Sequence, residues 1–473
     1  MEIKFKQGID ENQEFLFPKK LSEYLPDSHL AKAISEIVEK LDLSNIKIKY
    51  SPLGQHAYDP KMMVSLLFYG YSIGVRSSRK ISKGCEERFD FVFLSDGFKP
   101  SHDRISDFRK DNIAEIKEIF KAIVLIGTNL GLVKLGNIKT SIDGAKIKAN
   151  ASSKLTKDEN GLLKLLEDTE KEIKSILEEA KKIDDEEDKE YGKENRGDEL
   201  PKRLRSKQSR KIAIQKAYEK LLIQKEEMRK NIREQFESEP TKAEEKKIDK
   251  AKINVTDNDA NFMKERNGVI RPNYNSQISV DEKEQFIVAN DVTMECNDAC
   301  QLVPMMEKTK ENIKENPKAV KADNGYFPQL ELARKTFPKI DLYIDDRNRR
   351  KENLNMREMK EKYNKIRYEN LKKLLTKKGE AEYKKRMYTA EPPFGNIKHN
   401  LGYRYYLLRG LEKVQGEFNL MCVGHNINKI YNFALKNNKD IARALFDMGK
   451  TKGFGGMVGK NSEGMGQILS FVK

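Results

Sequence analysis

The length, composition and charge of the chain limit what it can be. Its 473 residues are too many for one ordinary core and predict two or three domains. The 91 Lys and Arg residues against 75 Asp and Glu residues give a net charge of +16, which suits a polyanionic partner. Four scattered cysteines are too few for a disulfide framework, and their spacing argues against a structural zinc site. No apolar run approaches the roughly 18 residues of a membrane span, and no signal-peptide core follows the charged N-terminus, so we expect a cytoplasmic protein without a membrane partner.

Residues 1–135 are predicted to form a helical N-terminal domain, because apolar residues recur there with the spacing i, i+3, i+4, i+7. Ser101 is placed to cap a helix that displays Arg104, Arg109 and Lys110. Such a helix is typical of a helix-turn-helix domain that inserts into a DNA groove. The alternative interpretation is a plain helical bundle with a basic, solvated surface.

Residues 154–250 have a different character and are predicted to be a charged helical insertion. Helical apolar stripes cover 162–183 and 212–236, and an acidic segment at 184–200 breaks the pattern. Two long helices joined by such a loop form an antiparallel hairpin. The hairpin could pair with itself, with another subunit or with DNA, and we favour a self-paired arm.

Residues 136–153 together with 251–447 are predicted to form a mixed α/β domain, and 448–473 a loose C-terminal tail. The strand and helix patterns of this domain follow the order β-β-β-α-β-α-β. A long charged helix is expected from 347 to 379, with further helix from 403 to 435. This order of strands and helices fits a mixed sheet.

Three acidic residues at element ends are the candidate catalytic residues. Asp143 lies inside an apolar strand where it reduces strand propensity, Asp323 closes a second strand, and Glu391 opens a helix-like segment. Carboxylates of this kind are the ligands that two Mg²⁺ ions need to catalyse phosphoryl transfer. Taken singly, the two aspartates could lie in hairpin turns, and the glutamate could be a favourable first-turn acid.

The strings around these acids resemble a known family. They are Ser141–Asn150, Lys321–Phe327 and the set Tyr383, Arg386, Glu391 and Lys398. They are similar to insertion-sequence transposases of the DDE superfamily, in the branch with a Tyr-Arg-Glu-Lys signature around the third acid. One departure is that four residues, not three, separate Arg386 from Glu391.

The resemblance implies an RNase H-like catalytic domain, which the predicted order of strands and helices fits. It implies that the three acids are catalytic and bind two Mg²⁺ ions, with Mn²⁺ as a substitute, for DNA cleavage and strand transfer. It also implies that Tyr383, Arg386 and Lys398 contact the DNA backbone, and that the helical domain binds terminal inverted repeats. The implied partners are element ends and target DNA, with a homodimer on paired ends. The alternatives are a domesticated DNA-binding protein and a nuclease of this fold that only cuts.

Overall fold

The computed structural model describes residues 20–51, 56–191, 202–236, 238–265, 267–351 and 354–437. The chain divides into two compact units, of which the second is Gly131–His425 and the first contains the residues on both sides of it. The predicted catalytic segments and the insertion fall in the second unit. The described residues from Asn426 to Asn437 belong to the first unit, although the sequence assigned them to the catalytic domain. The predicted tail at 448–473 lies outside the described residues.

The first unit is helical, as predicted. After a 3-10 turn at Leu21–Tyr24, its helices are α1 (Leu30–Glu39), α2 (Ser44–Lys47), α3 (Pro60–Ser72), α4 (Ser78–Glu87), α5 (Phe89–Leu94), α6 (His102–Asp111) and α7 (Ile113–Asn129). Helix α3 begins where the sequence predicts, because the Asp59 side chain accepts a hydrogen bond from the Lys61 N–H at 2.7 Å and Pro60 occupies the first turn.

The described residues of the second unit contain eight strands and most of the remaining helices. The strands are β1 (Lys139–Lys148), β2 (Thr156–Lys157), β3 (Ile253–Asn254), β4 (Asn261–Lys264), β5 (Ile270–Asp281), β6 (Ile287–Thr293), β7 (Ala319–Ala322) and β8 (Asp341–Ile344). The helices are α8 (Glu159–Tyr191), α9 (Lys202–Phe236), α10 (Lys242–Asp249), α11 (Leu302–Ile313), α12 (Leu330–Thr336), α13 (Met356–Lys362), α14 (Lys365–Leu374), α15 (Lys377–Thr389) and α16 (Glu391–Gly395), followed by α17 (Leu411–Lys436), which crosses the unit boundary. None of the helices in the described ranges is long and apolar enough to span a membrane.

Six strands form one mixed sheet with the order β4-β5-β1-β7-β8, and β6 also pairs with β5. Strand β1 is antiparallel to β5 and parallel to β7, and β7 is parallel to β8. Helices α11 and α12 connect β6 to β7 and β7 to β8 and cover the buried strand residues Val320 and Leu342. The predicted α/β order is therefore confirmed, and the arrangement is that of an RNase H-like catalytic domain.

The insertion is a self-paired helical arm, as predicted. Helices α8 and α9 run antiparallel, with the buried side chains Leu162, Ala217 and Leu221 between them. The predicted break at 184 is wrong, because α8 continues to Tyr191. Glu and Lys make up half of residues 184–191, and their high helix propensity offsets that of the three Asp residues, so the helix continues without an apolar stripe. The remainder of the predicted loop lies outside the described residues.

The charged stretch after β8 contains three helices instead of the single helix that was predicted. Each begins at a polar residue whose side chain accepts a backbone N–H of the first turn: Asn355 for α13, Asn364 for α14 and Thr376 for α15. The close approach of α14 to α15 requires Gly379, since a Cβ there would lie 2.0 Å from the carbonyl oxygen of Lys373.

Candidate active site

Asp143 and Asp323 lie side by side on neighbouring strands. The parallel ladder between β1 and β7 ends at the pair Ser141 and Lys321, and each aspartate lies two residues beyond that pair. Asp323 is the first residue after β7, and its Oδ1 accepts the Gly325 N–H at 2.8 Å. Parallel pairing thus places the first two predicted acids at the same level of the sheet.

Arg386 extends from α15 to these aspartates. Its Nη1 donates to Asp143 Oδ1 at 3.2 Å, and its side chain is only 12% exposed. Tyr383, one turn earlier, is buried against Tyr343 and Leu374. Both residues were expected to contact DNA. In this conformation Tyr383 is buried in the protein interior, and Arg386 neutralises a carboxylate, so a DNA contact by either stays a prediction.

The carboxylates are held in an unfavourable electrostatic environment. The pKa of Asp143 is raised to about 6. Burial is the largest cause, the charge of Arg386 opposes it, and the charges of Asp323 and Asp298 add to it. Burial likewise raises the pKa of Asp323, again against the effect of Arg386. Several carboxylates with too little positive charge to balance them form a site that attracts a further cation.

Asp298 is a third aspartate near the site that the sequence analysis missed. It lies in the loop between β6 and α11, and its Oδ1 accepts hydrogen bonds from Asn275 Nδ2 at 2.8 Å and Gln277 Nε2 at 2.7 Å. A Cβ on Gly144 would lie 2.6 Å from this oxygen, and a Cβ on Gly325 would lie 3.3 Å from Asp298 Oδ2. The glycines that follow the two strand aspartates therefore leave the space that Asp298 occupies.

Glu391 begins α16, as the sequence predicts, and is partly buried. A π-helical turn at Asn396–Asn400 follows α16, so Glu391 and Lys398 are not on one regular α-helix. Lys398 Nζ donates to the Lys146 carbonyl oxygen on β1 at 2.7 Å. The third acid and this lysine are thus carried by a segment that contacts the strand of Asp143.

The donor chemistry fits a divalent cation, although the described residues do not form a complete metal site. Asp143 and Asp323 supply the oxygen ligands that Mg²⁺ prefers, in a site with excess negative charge. Within the described ranges, however, no group of three or more His, Cys, Asp and Glu residues is arranged to hold a metal ion. The structure therefore brings the two aspartates together without adding Glu391 to a metal-binding cluster.

Helix α15 is held against the sheet by an ion network that we call the lysine-glutamate network: Lys139, Lys321, Lys385, Glu282 and Glu382. Fully buried Lys321 on β7 pairs with Glu282 and, at 3.5 Å, with Glu382 of α15. Glu382 also pairs with Lys139 at 3.4 Å and Lys385 at 2.7 Å. Arg386 follows Glu382 by one helical turn, so this network fixes the position of Arg386 along the sheet relative to Asp143.

The two arginines predicted to face DNA in the first unit have different environments. Ser101 caps α6 by accepting the Arg104 N–H at 3.4 Å, and the Arg104 side chain is exposed. Arg109 is 5% exposed and donates through Nη1 to Tyr71 Oη and the Arg76 carbonyl oxygen, both at 3.1 Å. The prediction that α6 displays Arg109 is therefore wrong, since this guanidinium holds α6 to the loop after α3.

Two family models match the chain. One, described as Transposase DDE domain, matches residues 346–431 and includes Glu391; the other, described as Transposase domain (DUF772), matches residues 19–111. No curated protein and no solved structure matches the chain. The first match begins after Asp143 and Asp323, so the proposal that these two aspartates belong to the active site depends on the sheet geometry. Together with the mixed sheet, the two matches identify the chain as an insertion-sequence transposase of the DDE superfamily.

Proposed function

We propose that the protein binds the ends of an insertion sequence and catalyses metal-dependent DNA strand cleavage followed by strand transfer. The observation that carries this proposal is the parallel pairing that brings Asp143 and Asp323 together, with Arg386 as their counter-charge. The transposase-domain matches on both sides of the aspartates support the same activity. The substrates are the terminal inverted repeats and a target duplex, which the net charge of +16 favours.

Asp143, Asp323 and Glu391 are the residues that would bind the divalent cations. Cations bound there stabilise negative charge on the oxygens that attack and leave phosphorus. The chain itself supplies part of the preorganisation. Strands β1 and β7 fix two carboxylates, and the turn after α16 contacts β1 through Lys398, seven residues after the third acid. Arg386 balances the carboxylates before substrate binds, because it is already paired with Asp143. Glu391 must move toward the aspartates for a three-acid site, since they form no such cluster in this conformation.

The test uses purified protein and DNA that carries the imperfect inverted repeats flanking its coding region. With Mg²⁺ or Mn²⁺ we expect nicks at the element ends and products joined to a target duplex, and with EDTA we expect neither. Asp143→Asn and Asp323→Asn should bind the end DNA and leave it uncut. Asp168→Asn, at an exposed position of α8, is the matched control and should cleave at the wild-type rate.

Each result separates one alternative. Cleavage that persists in EDTA would reject the metal-dependent site. Nicked ends without joined products would identify a nuclease that only cuts. Binding without cleavage, under conditions in which the protein is folded, would identify a DNA-binding protein that has lost the activity.

A further inference from the structure

A basic turn follows β8 and is anchored by buried charge. We call it the arginine turn, the 3-10 segment Arg347–Arg350. Asp345, the residue after β8, has a fully buried side chain and accepts Arg349 Nε at 3.0 Å and Arg350 Nη2 at 2.5 Å. A buried carboxylate requires such partners, so the backbone that carries these arginines is fixed by the folding of the sheet.

The arginine turn lies at the same sheet edge as the catalytic aspartates. Strands β7 and β8 are parallel, so Asp323 and Asp345 leave the sheet at neighbouring positions. The Arg347 N–H donates to Asn324 Oδ1 at 3.0 Å, and Asn324 is the residue directly after Asp323. One hydrogen bond therefore separates the backbone of the arginine turn from the segment that holds the second catalytic acid.

The exposed arginines of this turn have donors that face solvent. Arg347 is exposed, and the Arg350 side chain is 69% exposed although one of its amino groups contacts Asp345. A guanidinium carries five N–H donors, so Arg350 retains others for a second partner. Arg349 has a different role: it is 15% exposed and its guanidinium lies 4.9 Å from the ring centroid of Tyr383.

The charge of the candidate active site creates a need for these cations. Before divalent cations bind, a DNA phosphodiester that approaches Asp143 and Asp323 meets like charge, to which Asp298 adds. This repulsion acts over the Debye length of about 10 Å at 0.1 M salt. Cations fixed beside the aspartates offset this repulsion. Guanidinium groups suit phosphate because their planar donors bind two oxygens at once.

We propose that Arg347 and Arg350 of the arginine turn bind backbone phosphates of the DNA strand that lies across the catalytic aspartates. The inference rests on the proposed function, because it assigns further substrate contacts to the same site. Phosphate contacts carry no sequence information, so this turn contributes affinity and register, not recognition of the inverted repeat. The arginine turn thus positions the strand, while the first unit is left to recognise the element end.

The test compares Arg347→Ala with Lys339→Ala. Lys339 lies two residues before β8 begins, at the opposite end of that strand from the arginine turn. Lys339 and Arg347 are both exposed, so each variant loses one exposed cation. Binding of duplex DNA is measured over a range of salt concentrations. Loss of one phosphate contact should lower the slope of log K against log[salt] by about 0.9 for Arg347→Ala only. The loss should be equal for end DNA and unrelated DNA, and Arg347→Lys should restore most of the slope.

The outcomes distinguish this inference from the proposed function. Wild-type protein that shows no salt-dependent DNA binding would overturn both. Wild-type binding and cleavage with equal slopes for Arg347→Ala and Lys339→Ala would overturn the inference alone. Thermal melting of each variant identifies a folding defect. If Arg347→Ala melts early, the slope of Arg350→Gln, whose side-chain amide retains an N–H donor, decides the question.

Discussion

Replacement of Lys321 by methionine tests whether the lysine-glutamate network holds α15 in place. Lys321 is fully buried, and its two partners, Glu282 and Glu382, are 23% and 17% exposed. Breaking a fully buried ion pair costs about 3–5 kcal/mol. Here both glutamates would still pair with Lys385, which lies 3.2 Å from Glu282 and 2.7 Å from Glu382. The cost is therefore smaller, and we expect Lys321→Met to lower the free energy of unfolding by about 2 kcal/mol.

The assay is thermal and urea unfolding of Lys321→Met beside Lys384→Met. Lys384 lies on α15, and among the contacts described it pairs only with Glu380. Its side chain is 63% exposed, so its loss should change stability by less than about 0.5 kcal/mol. Lys321→Met should also slow DNA cleavage, because α15 would no longer hold Arg386 in a fixed position relative to Asp143. Equal melting temperatures and equal cleavage rates for the two variants would refute the argument that this network positions α15.

Three further predictions follow from single positions. Burial raises the pKa of Asp281 to about 6, so the folded protein loses stability as pH rises from about 4 to 6. In urea unfolding, Asp281→Asn should therefore be more stable than wild type by about 3 kcal/mol at pH 8 and equally stable at pH 4. Gly379→Ala should destabilise by about 1–3 kcal/mol in the same assay, because the backbone carbonyl of Lys373 cannot move aside. Lys398→Ala should lower the salt slope of end binding by about one contact, whereas Glu391→Ala should abolish cleavage with binding kept; equal binding losses would reject these roles.

The sheet and its two aspartates could be predicted because the signal is local. A strand that buries both faces reads as an apolar run, and an acid at its end, such as Asp323, stands out against that run. The order of strands and helices then leaves few topologies, and parallel pairing brings Asp323 level with Asp143. The start of α16 at Glu391 was equally readable, since prolines at the next two positions suit only a first helical turn.

Other features depend on tertiary contacts that no local pattern reveals. Asp298 reaches the site from a loop, and its position follows from two amide donors on β5 and from two glycines, one on β1 and one in the turn after β7. In the sequence, Arg104 and Arg109 are equivalent residues of one basic helix. Only the structure shows that Arg109 is buried, with a hydrogen bond to Tyr71. By contrast, the division of the charged stretch into α13, α14 and α15 could have been predicted from the sequence, because Asn355, Asn364 and Thr376 are all favourable N-cap residues.

The short ladder β2-β3 has a consequence for the order in which the catalytic sheet folds. Thr156 pairs with Asn254 and Lys157 with Ile253, so the two ends of the arm are hydrogen-bonded to each other. Pairing of β1 with β5 would otherwise close a loop that contains the whole insertion, and the entropy lost in closing a loop grows with its length. If the arm folds first from its local helix contacts, the loop between β1 and β5 becomes effectively short. Strand β1, which carries Asp143, can then pair with β5 as though the two were close in sequence.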